Sequence, residues 1–309
     1  MTAHDRTSAR PPIASALIAV ITYRRPAELA RFIESVLALE SEIPWRLVVV
    51  DNDPHGSART TVDRFGSAVQ YAHEPKPGIA AARNRCISLI GPADDAIVFT
   101  DDDEVVGENW LNDLIACANA FDADVVGGPV RSVVPDDAPA WIRQGNFFQR
   151  RIRPTGSSEG LPATNNVLVR SSALRQRDQL RFDDRFSITG GSDTDFFARF
   201  IVGDVRFVWS STAYVIDYLP SARLSFRWLF RRFTRGGETY ARVFGRTRSK
   251  VRIALTGVAY MLAGLLIAPF AIFIRPALRG ISLKLFARGY GFLRGIMGAS
   301  VNEYARMEE

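Results

Sequence analysis

The sequence is poor in the residues that form disulfides and zinc sites. Its 309 residues include two cysteines, Cys86 and Cys117, and three histidines. No group of them has the spacing of a zinc site, so a zinc-binding domain is excluded. Both cysteines lie in stretches with helical periodicity, which predicts buried thiols in a reducing compartment.

Lysine is scarce as well, although the chain is basic. Three of the 39 basic side chains are Lys, so arginine carries nearly all of the positive charge behind the net +6. This bias is compatible with GC-rich codons as well as with phosphate binding. Basic residues are concentrated at 223–252, where Glu238 is the one acid and an apolar segment follows. A basic block in that position indicates anionic lipid or phosphate as the partner rather than nucleic acid.

No secretory signal peptide is expected, because the polar start MTAHDRTSARPP leads directly into a strand. One uncharged run, residues 254–274, is long enough to cross a hydrocarbon core of roughly 30 Å. Basic residues flank both of its ends, so the positive-inside rule assigns no orientation, and Pro269 leaves a re-entrant segment open. The next stretch, ISLKLFARGYGFLRGIMG, mixes apolar and basic residues as interfacial segments do, although its glycines disfavour a helix.

What the sequence does contain is a regular alternation of strand and helix patterns over residues 14–134. Apolar runs predict strands at 16–23, 46–53, 67–74, 96–100 and 123–134. Between them, apolar residues recur at helical spacing in RRPAELARFIESVLAL, GIAAARNRCISLI and the stretch after Trp110. Strands that alternate with helices predict an α/β fold with a doubly wound, mostly parallel sheet.

Polar residues follow three of the predicted strands. They are Thr22, Tyr23 and Arg24 after the first, Asp51 and Asp53 after the second, and Asp101, Asp102 and Asp103 after the fourth. Ligands of such sheets bind outside the carboxyl ends of the strands. We therefore expect a binding site where these side chains meet.

The acidic run Asp101–Glu104 is the most unusual of these segments. A solvated turn would explain it, but an apolar strand precedes it and Val105 and Val106 follow. Alternate residues of an extended chain point the same way, so Asp101 and Asp103 are expected to converge on one ligand while Asp102 and Glu104 shape the turn. Hard oxygen donors suit Mn²⁺ or Mg²⁺ shared with a diphosphate.

A second pair of acids lies in the half of the chain after residue 135. Asp193 and Asp195 follow Gly190-Gly191 at the start of a helical pattern. The helix dipole and the free N–H groups favour carboxylates there, so Asp193 as a helix N-cap is one interpretation. A catalytic carboxylate is the other.

Seven segments occur in a distinctive order: AVITYRRPAELARFIESVLA, LVVVDND, PGIAAARNRCI, VFTDDDEVV, TNNVLVRSSAL, GGSDTDFFAR and RLSFRWLFRRFTRGG. In this order, over roughly residues 14–240, the chain resembles the family-2 glycosyltransferases, especially bacterial enzymes that build exopolysaccharide repeat units. The resemblance implies a GT-A fold, in which a Rossmann-like nucleotide-binding half is fused to an acceptor-binding half. It also implies inverting transfer from a nucleotide-diphosphate sugar.

The resemblance assigns roles to matching positions. It places Thr22, Tyr23, Arg24, Asp51, Asp53, Arg83, Asn84, Asp101 and Asp102 at the nucleotide sugar. It makes Asp103, with Asp101, the metal-binding pair. It makes Asp193 the catalytic base, with Asp195 as the alternative because Ser192 stands where the family commonly has Glu.

The remaining assignments concern the acceptor and the phosphates. Trp141, Asn165 and Asn166 are expected to form the acceptor wall, although core packing explains Trp141 equally well. Arg232 and Arg235 are expected to contact phosphate, or to belong to a basic membrane surface. The Q-x-x-R-W signature of processive synthases is incomplete, because Leu224 stands where the Gln belongs. Single-sugar addition is therefore favoured.

These observations predict a flexible N-terminus (1–13), a catalytic domain (14–240) and a membrane-associated helical region (241–309). The expected activity is metal-dependent transfer of a hexose to a polyprenyl-diphosphate-linked saccharide at the cytoplasmic face of the bacterial inner membrane. Two alternatives stay open: polyprenyl phosphate itself as the acceptor, or a non-catalytic, membrane-anchored module that binds nucleotide sugars.

Overall fold

The computed structural model describes residues 10–187, 189–245 and 247–298. Within these ranges, ten strands form two sheets. The strands are β1 (Ala16–Thr22), β2 (Trp45–Asp51), β3 (Val69–His73), β4 (Ala96–Asp101), β5 (Glu104–Val106), β6 (Val125–Gly127), β7 (Val130–Val133), β8 (Asn166–Arg170), β9 (Phe207–Trp209) and β10 (Val215–Tyr218).

The larger sheet has the order β3-β2-β1-β4-β8-β6-β9. Strands β1 to β4 are parallel to one another, whereas β8 is antiparallel to both of its neighbours. The predicted α/β fold with a mostly parallel sheet is thus confirmed. After β1 the chain builds outward through β2 and β3, then returns to place β4 on the other side of β1. The crevice between β1 and β4 is therefore the topological switch point, where such sheets bind ligands.

The smaller sheet joins β5, β10 and β7. The single strand predicted over residues 123–134 is wrong, because β6 belongs to the large sheet and β7 to the small one. The chain changes sheets at Gly127-Gly128-Pro129, where Pro129 lacks the N–H that a continuous ladder needs. Glu104, which was expected to shape a turn, begins strand β5 instead.

The helices are α1 (Pro26–Leu37), α2 (Arg59–Asp63), α3 (Ile79–Ser88), α4 (Trp110–Ala120), α5 (Ala140–Gln144), α6 (Ser171–Arg175), α7 (Ser192–Phe200), α8 (Phe226–Phe244), α9 (Lys250–Phe273) and α10 (Arg279–Ile296). Alternate residues of each strand face opposite sides, so the large sheet supports two cores. One core lies under α1 and α4, and the other lies under α3, α6 and α7. Cys117 lies in the first core and Cys86 in the second, both as buried free thiols, as predicted.

The C-terminal part of the chain is a three-helix assembly of α8, α9 and α10. The expectation that glycines weaken residues 281–298 as a helix is wrong, because α10 runs from Arg279 to Ile296. Its glycines allow close packing: a Cβ on Gly291 would lie 2.0 Å from the Thr234 carbonyl oxygen of α8. Helix α9 also continues through Pro269.

Two of the expected domain boundaries fall inside packed structure. Helix α8 continues to Phe244, so a division after residue 240 would cut one helix. Near the N-terminus, Arg10 pairs with Asp122 at 2.6 Å and with Asp124 at 2.7 Å, and Ile13 is buried. Residues 10–13 are therefore part of the packed domain, and residues 1–9 lie outside the described residues.

Candidate active site at the switch point of the sheet

The carboxyl ends of β1 and β4 are joined directly by side chains. Thr22 ends β1, and its hydroxyl donates a 2.7 Å hydrogen bond to Asp102, which follows β4. Both residues are buried. The polar residues predicted at separate strand ends therefore lie around one crevice.

Asp101 is the last residue of β4, directly before the acidic turn, and within the described residues its carboxylate accepts no hydrogen bond. Burial raises the pKa of Asp101 to about 7, and although the charge of Arg83 opposes this shift, repulsion from Asp103, Asp102 and Asp193 adds to it. Carboxylates crowded in this way favour a bound cation. Arg83, whose charge acts on Asp101, also donates to the Ser192 hydroxyl beside Asp193, so the two predicted acidic sites lie around the same arginine.

Asp103 is held by two arginines that the sequence did not single out as site residues. Arg25 donates to Asp103 at 3.2 Å and also to Asp102 at 3.1 Å. Arg223 donates to Asp103 at 2.6 Å and to Asp217 at 3.3 Å. Arg223 lies at the start of the basic block, which is the one sequence signal that pointed toward it.

Glu104 is the fourth acid of the cluster. It is 3% exposed, and its Oε1 accepts a 2.8 Å hydrogen bond from Asn165. Its Oε2 is buried without a hydrogen-bond partner among the described residues. Burial, with repulsion from Asp101, raises the pKa of Glu104 well above its ordinary value. Asn165, an expected acceptor-wall residue, thus contacts the acidic cluster.

The two acids of α7 differ in their surroundings. Asp195 is 2% exposed and pairs with Arg199, whose guanidinium nitrogens lie 2.8 and 2.6 Å from Oδ2. Asp193 is half-buried, and its Oδ1 accepts a 2.8 Å hydrogen bond from the Thr194 N–H. Asp193 is the more available of the two, and Asp195 braces the helix.

In the ARN segment of α3, Arg83 and Asn84 also have different roles. Arg83 is buried and donates a 2.5 Å hydrogen bond to the Ser192 hydroxyl at the start of α7. Asn84 exchanges hydrogen bonds of 2.9 and 2.8 Å with the backbone of Phe182. Arg83 therefore faces the acidic centre, whereas the Asn84 amide fastens α3 to the chain before α7.

The residues that follow β2 hold their own loop. Asp51 is fully buried and accepts hydrogen bonds from the Asp53 N–H at 2.9 Å, the Ala58 N–H at 2.7 Å and the Tyr71 hydroxyl at 3.0 Å. In this structure Asp51 positions the loop and presents no surface to a nucleotide.

Asp53 is also buried, and Arg24 lies against it at 3.2 Å. Burial alone would raise the pKa of Asp53, but hydrogen bonds from Ser57, the His55 N–H and Arg24 hold it below its ordinary value. The Arg24 guanidinium also lies 5.3 Å from the centre of the Tyr23 ring. Tyr23 and Arg24 are both accessible, so they form the open wall of the crevice.

Asn166 does not belong to an acceptor wall, which corrects its assignment. It is 2% exposed, donates to the Pro129 and Ala213 carbonyls at 2.9 and 2.8 Å, and accepts from the Trp110 indole at 2.8 Å. With these bonds it fastens β8 to the turn between the two sheets. Trp141 is half-buried and packs edge-on against Phe147, 5.3 Å between ring centres. Core packing therefore accounts for part of the Trp141 surface.

A cluster of cations lies beyond Asp103. Loss of hydration lowers the pKa of Arg232 to about 10, and the positive charges of Arg150 and Arg235 contribute. The Arg232 guanidinium lies 5.1 Å from the Trp228 ring centre. Burial lowers the pKa of Lys284 on α10, and the positive charge of Arg232 adds to this effect. Sequence patterns did not single out Arg150, which lies beside Arg151 outside the predicted motifs, or Lys284, which lies between two leucines.

The described residues contain no group of three or more His, Cys, Asp or Glu side chains placed to hold a metal ion. Asp101 and Asp103 nevertheless fit a hard divalent cation, because both supply carboxylate oxygens and Asp101 is repelled by Asp103, Asp102 and Asp193. Mg²⁺ and similar ions are commonly bound by one or two carboxylates together with substrate phosphates.

The family profile and the relatives that match this chain in sequence point to the same family. Residues 17–178 match the profile described as Glycosyl transferase family 2. The chain is 34% identical over 250 residues to the succinoglycan biosynthesis protein ExoM of Rhizobium meliloti, which covers 78% of this chain and 80% of ExoM. It is 28% identical over 173 residues to the galactofuranosyltransferase GlfT1 of Mycobacterium tuberculosis, which covers 52% of this chain and 57% of GlfT1.

Solved structures with the same architecture are more distant in sequence. S. aureus TarS, residues 1–349, aligns with a TM-score of 0.53 and 14% identity over 92% of each chain. The mannosyltransferase PcManGT of Pyrobaculum calidifontis aligns with a TM-score of 0.60 and 13% identity, over 93% of this chain and 88% of that one. At such identities these similarities establish the fold alone.

Proposed function

Because the chain belongs to glycosyl transferase family 2 and has a GT-A-like fold, we propose that it transfers a single hexose, with inversion, from a nucleotide-diphosphate sugar to a lipid-linked saccharide. The setting is bacterial polysaccharide biosynthesis, which is the role that the relative ExoM carries in its name. One observation carries the mechanism: Arg83, whose charge acts on Asp101 at the switch point between β1 and β4, donates a 2.5 Å hydrogen bond to Ser192, the residue next to Asp193.

Asp193 is the proposed catalytic base. Its carboxylate removes the proton from the acceptor hydroxyl as that oxygen bonds to the anomeric carbon, while the bond from this carbon to the diphosphate breaks. Direct displacement on one face inverts the anomeric configuration. The ion pair that Asp195 makes with Arg199 supports Asp193 over Asp195 in this role.

Asp101 and Asp103 would hold Mn²⁺ or Mg²⁺, which supplies positive charge to the departing diphosphate when bound. A related fold has been solved with GDP-Man and Mn²⁺ in the mannosyltransferase PcManGT. Arg25 and Arg223 hold Asp103 at 3.2 and 2.6 Å. We propose that they fix the orientation of its carboxylate.

The donor nucleotide is proposed to bind along Thr22, Tyr23, Arg24 and Asp53. Asp51 and Asn84 support this wall from behind. Arg83 reaches the same centre from α3, and its charge acts directly on Asp101. S. aureus TarS, which has the same fold, has been solved with UDP-GlcNAc.

Phosphate binding is assigned to Arg232 and Arg235, as their sequence pattern suggested, and is extended to Arg150 and Lys284. Within the described residues, Arg232 and Lys284 form no ion pair with a carboxylate. Arg150 pairs with Asp217 at 3.8 Å, whereas Arg232 and Lys284 lie near other cations, and this excess of positive charge favours an anionic ligand such as a diphosphate. Arg232, Arg235 and Lys284 lie on α8 and α10, next to the apolar helix α9, which supports a lipid-borne acceptor. The cytoplasmic face of the inner membrane is proposed because nucleotide sugars are made in the cytoplasm.

The test measures transfer from a panel of nucleotide sugars with Mn²⁺, first to lipid-linked saccharides. We expect Asp193→Asn to lose about 10²- to 10⁴-fold in turnover while it still binds donor, because only proton removal is lost. Asp103→Ala is expected to lose metal-dependent donor binding as well. The control Asp178→Asn removes an exposed carboxylate outside the site and should keep full activity.

Several outcomes would contradict parts of this proposal. Full turnover in Asp193→Asn would exclude that base. Retention of the anomeric configuration in the product, read by NMR, would exclude inversion. Tight donor binding without turnover on any acceptor would favour the non-catalytic module, and activity on polyprenyl phosphate alone would favour the other acceptor.

A further inference from the structure

Helix α9 is the one helix of the described residues that is long and apolar enough to cross a membrane. Its exposed residues recur at helical spacing and form a single stripe along the outer side, from one end of the helix to the other. The large members of this outer stripe are Val251, Leu255, Val258, Leu262, Leu265, Leu266, Phe270, Ile272 and Phe273.

The inner side of α9 is covered by α10 along the same length. A Cβ on Gly264 would lie 2.8 Å from the Ser282 carbonyl oxygen, and the Ser282 hydroxyl donates to the Gly264 carbonyl at 2.8 Å. Nearer the start of α9, a Cβ on Gly257 would lie 2.9 Å from the Gly289 carbonyl oxygen. Backbone contacts this close hold α9 and α10 together as an antiparallel pair.

Helix α10 is fastened in turn to the catalytic part of the chain. Arg294 pairs with Glu238 of α8 at 2.7 Å, and Glu238 is fully buried. At the other end of α10, the Gly280 N–H donates a 2.7 Å hydrogen bond to the Gly145 carbonyl. Both ends of α10 are therefore fixed to the same body as the candidate active site.

This arrangement is incompatible with one membrane crossing by α9. A single crossing would place α10 on the side opposite the catalytic part, whereas α10 packs directly against α8. Insertion of both helices as a hairpin would take Lys284, Arg288 and Arg294 into the hydrocarbon, at high cost for each charge.

The charges at the ends of α9 suit a third arrangement. Arg248, Lys250 and Arg252 are exposed at its start, and Arg275 is exposed at its end. A crossing helix would send one of these groups to the far side of the membrane. A helix that lies flat, about 36 Å long at 1.5 Å per residue, brings both groups to one layer of anionic headgroups.

We propose that α9 lies in the plane of the bilayer, with its outer stripe in the headgroup–acyl boundary of an anionic membrane surface. Helix α10 covers the side that would be polar in an isolated interfacial helix. The whole chain then sits on one leaflet as a monotopic protein. This proposal does not depend on the reaction that the chain catalyses.

Depth measurements on the full-length protein test the orientation. Spin labels are attached to Val251→Cys, Leu262→Cys or Phe273→Cys, and the protein binds vesicles of phosphatidylglycerol and phosphatidylethanolamine. All three positions are exposed, and the native cysteines are buried, so the unsubstituted protein is the unlabelled control. Oxygen and nickel-chelate accessibility should give one shallow depth at all three positions.

A depth maximum at Leu262 with shallow ends on opposite leaflets would overturn the proposal. So would spin–spin coupling between chains without vesicle binding, because a second copy would then cover the stripe. Leu262→Glu combined with Leu266→Glu should lower vesicle partitioning about tenfold or more. The matched control Val202→Glu changes an exposed apolar residue elsewhere and should leave partitioning unchanged.

The basic ends give an independent comparison. Arg252→Gln at one end and Arg275→Gln at the other should each weaken binding to preformed anionic vesicles about fivefold. Added salt or replacement of phosphatidylglycerol by phosphatidylcholine should abolish both effects. An effect of Arg252→Gln without one of Arg275→Gln would contradict a flat helix.

Discussion

Single residues at the edge of the sheet do one of two jobs, and neighbours in the sequence often differ. Asn165 faces the acidic centre through Glu104, whereas Asn166 is buried and bonds to three groups of the framework. Strand geometry explains the difference, because successive side chains point to opposite faces. On helix α7, Asp193 and Asp195 also differ in this way: Asp193 is available to a ligand, whereas Asp195 pairs with Arg199.

Substitution of the two asparagines should separate stability from activity. Asn166→Ala leaves the Trp110 indole and two carbonyls without a partner, so we expect a loss of about 2–4 kcal/mol in the free energy of unfolding. Asn165→Ala removes the hydrogen bond that fixes Glu104, so we expect about tenfold lower turnover with a smaller change in stability.

Denaturant unfolding and steady-state kinetics on both variants check this pair. A stable Asn166→Ala protein with a raised KM for the acceptor would return Asn166 to the acceptor wall. Asn165→Ala with unchanged turnover would remove Glu104 from the catalytic centre.

The sequence predicted which strand ends meet, but not which side chain at each end is available. Thr22, Asp101 and Asp103 could be placed because parallel strands align their carboxyl ends. The buried state of Asp51 could not, since it depends on the Ala58 N–H and the Tyr71 hydroxyl, which approach through the fold. Arg25, Arg150 and Lys284 were not predicted as site residues, because their contacts with the acidic and cationic groups arise only in the folded chain.

At the scale of whole elements, periodicity predicted the alternation of strands and helices correctly except at residues 123–134, and it predicted a helical C-terminal region. The weakness expected of the glycine-rich stretch 281–298 as a helix was wrong. Helix α10 contains glycines that would weaken it in isolation, by up to about 1 kcal/mol each. Packing compensates, because Gly291 and Gly237 let the backbones of α8 and α10 approach closely. Helix propensity therefore failed to predict α10, because its stability depends on packing against α8.

Two glycines, Gly291 on α10 and Gly236 on α8, allow a matched test of this packing. Gly291→Ala would bring a methyl group 2.0 Å from the Thr234 carbonyl oxygen. We expect it to lower the free energy of unfolding by about 1–3 kcal/mol and to loosen α10 in hydrogen exchange. The control Gly236→Ala lies mid-helix on α8 with open space around it, and should raise stability by roughly 0.5–1 kcal/mol. Equal effects of both changes would show that the α8–α10 contact is not tight.

For the molecule as a whole, the charged and apolar surfaces are connected. Asp103 is joined by Arg223 to Asp217, the cations Arg232 and Lys284 lie beyond, and Lys284 stands on α10, which carries α9. A lipid-linked acceptor held with its phosphate at these cations would keep its hydrocarbon chain near the membrane surface that α9 occupies. Two-dimensional confinement would raise the effective concentration of such an acceptor.

The two proposals together predict an activity that depends on how the acceptor is presented. With an acceptor in anionic vesicles, Leu262→Glu combined with Leu266→Glu should reduce kcat/KM about 10²-fold, because the enzyme no longer shares the surface with its substrate. With a short-chain, water-soluble acceptor, the same variant should match the unsubstituted enzyme, since both substituted side chains are exposed and neither is a proposed site residue. Val202→Glu should be normal in both assays. Equal losses on both acceptors would mean that the substitutions damage the catalytic centre, and equal activity on both would mean that α9 does not deliver the enzyme to its acceptor.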